Sequence, residues 1–203
     1  MPGRGVSINV GNIIEMEKEE VGHSAELPDG NEFSRVIDEH QRQVYAVALR
    51  LTGNAVVAED ITQETFISAW QHLNNFRRES SLKTWLLRIA VNKVRSYWRW
   101  KKLRAWVSLG HRDEDGEGPA LEEMLPDVPS GRPEQAALAA DLERRVQAAI
   151  RALPPRQREV AALKAQGLSG DEIAAALGMA EGTVKAHWFE ARKKLEASLW
   201  ECL

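Results

Sequence analysis

From Ser81 to Arg104 the chain reads SLKTWLLRIAVNKVRSYWRWKKLR, and the spacing of its apolar residues fits a helix and no strand. Leu82, Trp85, Leu86, Ile89, Ala90, Val94 and Tyr97 recur at steps of three, one and four, the stripe of an amphipathic helix. Arg88, Asn92, Arg95, Arg99 and Lys102 step along another face, with Lys83, Lys93 and Lys101 beside it. Between Arg77 and Arg104 ten Lys or Arg stand against one acid, Glu79, a local charge of +9 in a chain of net charge −3. Charge of that density needs either full solvation or an anionic partner, of which nucleic-acid phosphate is the commonest. Trp98 and Trp100 lie inside the basic run. Such rings serve as core, as a stacking edge for a base, or as a partner contact. Alone, the helix fits a solvated basic face and a phosphate-binding face equally well.

The remaining charge is segregated. Residues 1–40 hold Arg4, Lys18 and Arg35 against nine acids, and His111 to Gln135 hold Arg112 and Arg132 against eight. Alternation of this kind marks segments with different partners. A hydrophobic content of 43% over 203 residues allows one domain or two small ones. The single cysteine, Cys202, excludes an intrachain disulfide and any Cys-based metal cluster, which suits a reducing compartment. No apolar run approaches the ~18–20 residues of a membrane span. The start, MPGRGVSINVGNII, lacks the apolar core of a signal peptide, so the expected location is the cytoplasm.

Taken in order, residues 1–30 read as an acidic tail that ends in the turn signal Pro28-Asp29-Gly30. Asn31 to Leu51 forms a helix with Phe33, Val36, Ile37, Val44, Val47, Ala48 and Leu51 inward, closed by Gly53. Asn54 to Asn74 forms a second helix, whose apolar Val57, Ile61, Phe66, Ile67, Trp70 and Leu73 cover more circumference than one buried stripe requires. Asp60, Gln63, Glu64 and Gln71 share its polar side. The Asp60/Glu64 pair has no His or third acid at helical spacing, so neither a metal site nor acid–base chemistry is expected there. A face that meets another protein is the better expectation. Ser80 or Ser81 can cap the basic helix, which completes a three-helix bundle over residues 31–104. Gly- and Pro-punctuated acidic sequence follows as a linker over residues 105–133.

Residues 134–203 begin with a helix from Glu134 to Leu153, broken by Pro154-Pro155, and a second from Arg156 to Gln166. Ser169-Gly170-Asp171-Glu172 is a capping box that opens a short helix through Ala174, Ala175 and Leu177. Gly178 supplies a tight turn, and Val184 to Leu199 forms the last helix. A short helix, a glycine turn and a longer helix with a basic end make a helix-turn-helix, in which the start of the second helix enters the major groove. Thr183, Lys185, Ala186, His187, Phe189 and Glu190 then face or flank base edges, with Arg192, Lys193 and Lys194 nearer phosphate. The expected fold class is all-α: two small helical domains joined by an acidic linker.

These motifs carry a resemblance. Asp60-Ile61-Thr62-Gln63-Glu64-Thr65-Phe66 with Ala69-Trp70, Phe76-Arg77, and Ser81 to Asn92 resemble region two of bacterial RNA polymerase sigma factors of the extracytoplasmic-function group. Leu153 to Arg158, Gly182 to Lys185 and Ala191-Arg192 resemble region four of the same group. The resemblance covers roughly residues 31–104 and 134–199, in the right order and separation. It implies core RNA polymerase, promoter DNA and an inhibitory anti-sigma factor as partners, without cofactor or metal. It implies polymerase contacts at Asp60, Gln63, Glu64, Phe66, Ile67 and Trp70. It implies contacts to the melted minus-ten element by Phe76, Arg77, Ser81, Lys83 and Arg88. Asn92 is to contact an extruded base, and Lys93, Arg95, Arg99 and Lys102 are to track phosphates. Thr183, Lys185, Ala186, His187, Phe189, Glu190, Arg192 and Lys193 are to meet the minus-thirty-five element. Ala186, His187, Trp188 and Glu190 depart from the Arg and Ser that many members carry on this helix, and a glutamate there can accept from a cytosine amino group.

Two other classes compete with this reading. GLSGDEIAAALGMAEGTVKAH also resembles the DNA-binding module of response regulators and quorum-type activators, but residues 31–104 read as helix throughout, without an aspartate at a strand end. A nucleic-acid enzyme needs a phosphate loop, metal cluster or nucleophile–base pairing, and the sequence offers none.

Overall fold

The computed structural model describes residues 30–110 and 144–200. Among these residues every regular element is helical: α1 (Gly30–Thr52), α2 (Ala55–His72), a 3-10 turn (Leu73–Asn75), α3 (Leu82–Gly110), α4 (residues 144–152), α5 (Pro155–Lys164), α6 (Gly170–Leu177) and α7 (Glu181–Trp200). The acidic tail, most of the acidic linker and Cys202 lie outside the described residues.

The helix ends follow from local chemistry. Gly53 ends α1 at φ 69, a left-handed position that costs a residue with a Cβ, and its N–H donates to the Leu49 carbonyl at 2.7 Å. Asn54 then caps α2, its Oδ1 accepting from the Val57 N–H at 3.0 Å. Ser81, not Ser80, caps α3, its Oγ accepting from the Thr84 N–H at 3.1 Å. Ser169 and Glu172 form the capping box of α6, and Gly178 closes that helix at φ 65. Helix α3 runs beyond Arg104 to Gly110, further than the apolar periodicity alone required.

Helices α1, α2 and α3 pack around Phe33, Phe66 and Trp70. The Phe33 ring meets Phe66 edge-on at 6.4 Å and Trp70 at 5.0 Å. This corrects the reading of Phe66 and Trp70 as a polymerase-facing surface: they are 0% and 3% exposed, because Phe33 of α1 covers the wide apolar side of α2. The buried stripe of α3 is also rotated from the one expected. Leu86, Leu87, Ala90, Val91 and Val94 are buried, while Leu82, Trp85, Ile89 and Tyr97 are half-buried. The rotation arises because α3 is covered on two sides. Its second side meets α5 and α6, whose Val160, Leu163, Ile173, Ala176 and Leu177 join the same apolar core. Leu153, Ala161 and Ala191 form a satellite cluster between α5 and α7.

Replacing Phe66 by Ala removes the ring that holds α1 on α2. The expected loss is about 3–5 kcal/mol of unfolding free energy, read from the denaturant midpoint at unchanged slope.

Candidate nucleic-acid interface

Helix α3 presents its outer face to solvent because its buried stripe takes up only the opposite side. Arg88, Asn92, Arg99 and Lys102 are exposed on that face. Asn92 lies in an open groove of about 540 Å³ between α2 and α3, lined also by Glu64, Ser68, His72, Trp85 and Ser96. A primary amide at the lip of a groove with one apolar ring can donate to and accept from a planar polar edge. The approach from α2 is fixed by the Phe76 ring, which packs on Trp85 at 5.0 Å. Between them Arg77 is exposed and Arg78 adopts φ 57, a conformation uncommon for a residue with a side chain.

Other cations on α3 are already engaged. Arg95 donates through Nε and Nη2 to the two carboxylate oxygens of Glu159 on α5, both at 2.7 Å. Glu159 is 7% exposed and also receives Arg156 Nη1 at 3.1 Å. The hydrogen bond to Glu159 is the main reason that the Arg95 guanidinium is held above its ordinary pKa. Lys83 Nζ donates to the Gln166 carbonyl at 2.6 Å, and Thr84 Oγ1 donates to Glu172 Oε1 at 3.2 Å. The Glu172 carboxylate is held below its ordinary value, first by the Ser169 backbone N–H. Lys93 reaches Glu64 at 3.5 Å, both partly exposed. The Ser81 hydroxyl is spent on its cap and on Thr84 Oγ1 at 2.8 Å. Sequence reasoning therefore assembled one row of DNA-facing residues, and the structure divides it. Arg77, Arg88, Asn92, Arg99 and Lys102 face outward, whereas Lys83 and Arg95 bind the second helical group. Glu159, Gln166 and Glu172 were missed as partners, since no local pattern links them to residues more than sixty positions away.

On α2, Asp60, Gln63 and Glu64 are exposed and Ile67 is half-buried, one polar face distinct from the buried Phe66 and Trp70. On α7, Lys185, Ala186, Phe189, Glu190 and Lys193 share one exposed face, with Phe189 67% exposed. Val184 and Ala191 are buried opposite, and His187 and Trp188 are half-buried at the edge. Thr183 is exposed in the first turn. The flanking cations are tied along the helix: Lys185 to Glu181 at 2.8 Å and Arg192 to Glu196 at 2.6 Å. Lys194 donates to Gln157 Oε1 at 3.0 Å. Among the described residues Glu190 has no ion-pair partner, so its carboxylate points outward with free acceptors.

Comparison with known proteins gives the same two halves. Residues 36–104 match the Sigma-70 region 2 family, and residues 143–195 match Sigma-70, region 4. The chain is 31% identical to the RNA polymerase sigma-H factor of Pseudomonas aeruginosa over 84% of its own length and 88% of that protein. It is 31% identical to the ECF RNA polymerase sigma factor SigW of Bacillus subtilis, over 84% and 90% of the two chains. Its fold resembles that of the sigma factor RpoE from Bartonella quintana, solved in complex with the anti-sigma factor NepR, with a TM-score of 0.64 and 28% identity over 83% of this chain and 96% of that one.

Substituting Glu159 by Ala leaves Arg95 without its carboxylate and α5 without its polar tie to α3. The expected outcome is a larger radius in small-angle scattering and faster proteolysis between the two helical groups. Far-ultraviolet ellipticity should stay unchanged.

Proposed function

The chain belongs to the extracytoplasmic-function group of RNA polymerase sigma factors, and we propose a division of labour among its residues in promoter-specific transcription initiation. Core RNA polymerase binds the polar face of α2 through Asp60, Gln63, Glu64 and Ile67. The melted minus-ten element lies along Phe76, Arg77, Arg88, Asn92 and Arg99, with Asn92 holding an unstacked base at the groove. The helix-turn-helix reads the minus-thirty-five element through α7. Residues 31–104 act as region two and residues 134–203 as region four, joined by the acidic linker. The polymerase carries out the chemistry; this chain contributes placement and strand opening, in the cytoplasm where template and polymerase meet. Among the described residues no helix is long and apolar enough to cross a membrane.

The observation that carries this reading is the stripe of Arg88, Asn92 and Arg99, exposed on one face of α3 beside a groove and without a carboxylate partner among the described residues. A basic face left without carboxylates by a chain of net charge −3 favours an anionic ligand over mere solvation. Lys83 and Arg95 join the phosphate track only when they exchange Gln166 and Glu159 for DNA, so promoter binding and docking of the two halves compete for the same cations. A structural relative is solved with an anti-sigma factor, and such a partner, by holding the halves of this chain together, blocks initiation by the same competition. On α7, Phe189 offers an apolar contact for a thymine methyl and Glu190 an acceptor for a cytosine amino group. The paired Lys185 and Arg192 become available to phosphate on exchange of their helix partners.

Run-off transcription with purified core polymerase and a genomic promoter library tests the whole reading, which fails if the protein yields no new start sites. Asn92→Ala is expected to bind polymerase normally and to lose permanganate-reactive opening at the minus-ten element. Glu190→Gln is expected to change the selected base at a single minus-thirty-five position, about tenfold in preference, and to leave the minus-ten preference intact. An unaltered selection at every position counts against that assignment.

A further inference from the structure

Helix α3 ends in a surface that nothing among the described residues covers. Trp98 still belongs to the bundle: its Nε1 donates to the Leu51 carbonyl at 3.4 Å and its ring meets Tyr97 at 5.3 Å. Past it, Trp100, Leu103 and Trp106 are 53%, 64% and 72% exposed. Steps of three place them within about 120° of one another around the helix, so they form one apolar strip. Arg99, Lys101, Lys102 and Arg104 flank the strip, and among the described residues none of the four has a carboxylate partner. Arg99 donates to Ser96 Oγ at 3.1 Å, and the Arg104 guanidinium lies 4.4 Å from the Trp100 ring centre. Large apolar side chains left in water forgo the free energy of burial, and a strip of them marks a contact.

Charge decides what covers it. A second copy of the strip would bring the same four cations against these, and like charges at contact distance repel. The complement is an acidic segment with apolar side chains of its own, and the chain contains one. Residues 13–21 read IIEMEKEEV: Ile13, Ile14, Met16 and Val21 are interleaved with Glu15, Glu17, Glu19 and Glu20, against Lys18 alone. This stretch precedes the residues that match the family, which begin at 36. The acidic linker is the rival. Residues 111–120, which follow α3 directly, hold Asp113, Glu114, Asp115 and Glu117 but no large apolar side chain, and the later LEEML has two acids to the tail's four. Length also permits the contact. Trp98 meets α1 at Leu51, about 32 Å along that helix from Gly30, and Trp106 lies a further 12 Å or so of helix away. Residues 13–21 precede Gly30 by nine to seventeen positions, an extended reach of about 30–60 Å.

We propose that residues 13–21 of the acidic tail dock on the end of α3 in the free protein, and there compete with nucleic acid for its cations. Ile13, Ile14, Met16 and Val21 cover Trp100, Leu103 and Trp106, while the four glutamates pair with Arg99, Lys101, Lys102 and Arg104. The docking stands on charge and apolar area alone; its consequence rests on the initiation reading. Arg99 belongs to the promoter-facing stripe with Arg88 and Asn92, so the docked tail and DNA cannot both hold it. A segment tethered to the same chain acts at an effective concentration of about 1 mM, so even weak docking is populated. The docked tail keeps the free protein off nucleic acid at large, whose phosphates offer the same charge at every sequence.

The test uses the full chain, with Asn12→Cys carrying a nitroxide in a Cys202→Ser background, and reads the indole N–H signals of the seven tryptophans by NMR. Trp100→Phe and Trp106→Phe identify the two signals concerned. Both are expected to be broadened about twofold or more relative to the reduced label, and to recover at about 1 M salt, where charges are screened within about 3 Å. Replacing Glu15, Glu17, Glu19 and Glu20 by Gln should abolish the broadening. It should also raise the affinity of the free protein for a forked minus-ten template about fivefold at low salt. Unbroadened Trp100 and Trp106 signals would overturn the proposal. So would broadening by a label at Met124→Cys and not at Asn12→Cys, which would assign the strip to the linker. Equal fork affinities with and without the four substitutions would overturn the competition. If neither protein binds the fork while the broadening persists, the initiation reading fails and the docking stands.

Discussion

Helix α3 is held to three surfaces at once, and the structure depends on how that demand is met. One side closes the bundle with α1 and α2 through Leu86, Ala90 and Val94. A second side meets α5 and α6, where Arg95 and the mostly buried Glu159 form a two-point ion pair. A doubly hydrogen-bonded guanidinium–carboxylate pair fixes both distance and orientation, which a purely apolar contact does not. The third side remains basic and open.

The same economy explains why the contact between the two halves is built from groups that also suit DNA. Lys83 and Arg95 satisfy a backbone carbonyl and a carboxylate in this arrangement. Both are charge-assisted donors, and a phosphate is a competent replacement for either acceptor. Exchange of partners therefore leaves no buried carboxylate stranded, provided that Glu159 keeps Arg156, which already lies at 3.1 Å. A contact of this kind can be strong in geometry and still reversible, because the desolvation of the pair offsets much of its attraction.

The second half obeys the same logic at smaller scale. Its capping box sets the start of α6, the left-handed Gly178 sets the turn, and Val184 and Ala191 anchor α7 from below. What remains outward is a short row with one ring and one carboxylate, Phe189 and Glu190, among cations that pair along their own helix. Specificity in such a row comes from the exceptions to its charge: a carboxylate rejects phosphate as firmly as a lysine attracts it.

The sequence by itself determined the helices, their caps and the helix-turn-helix, because these depend on contacts within a few residues: 3.6-residue periodicity, Ser169 with Glu172, Gly53 and Gly178. It also determined the basic character of α3 and the family, since local charge and motif order are properties of the string. It did not determine which apolar residues of α2 are surface. Phe66 and Trp70 read as interface from α2 alone and became core only when Phe33 of α1 arrived over them. Nor did it divide the cations of α3, because Glu159 and Gln166 come from a helical group more than sixty residues away. Those decisions belong to tertiary structure, which alone sets which long-range partner reaches a side chain before solvent or a ligand does.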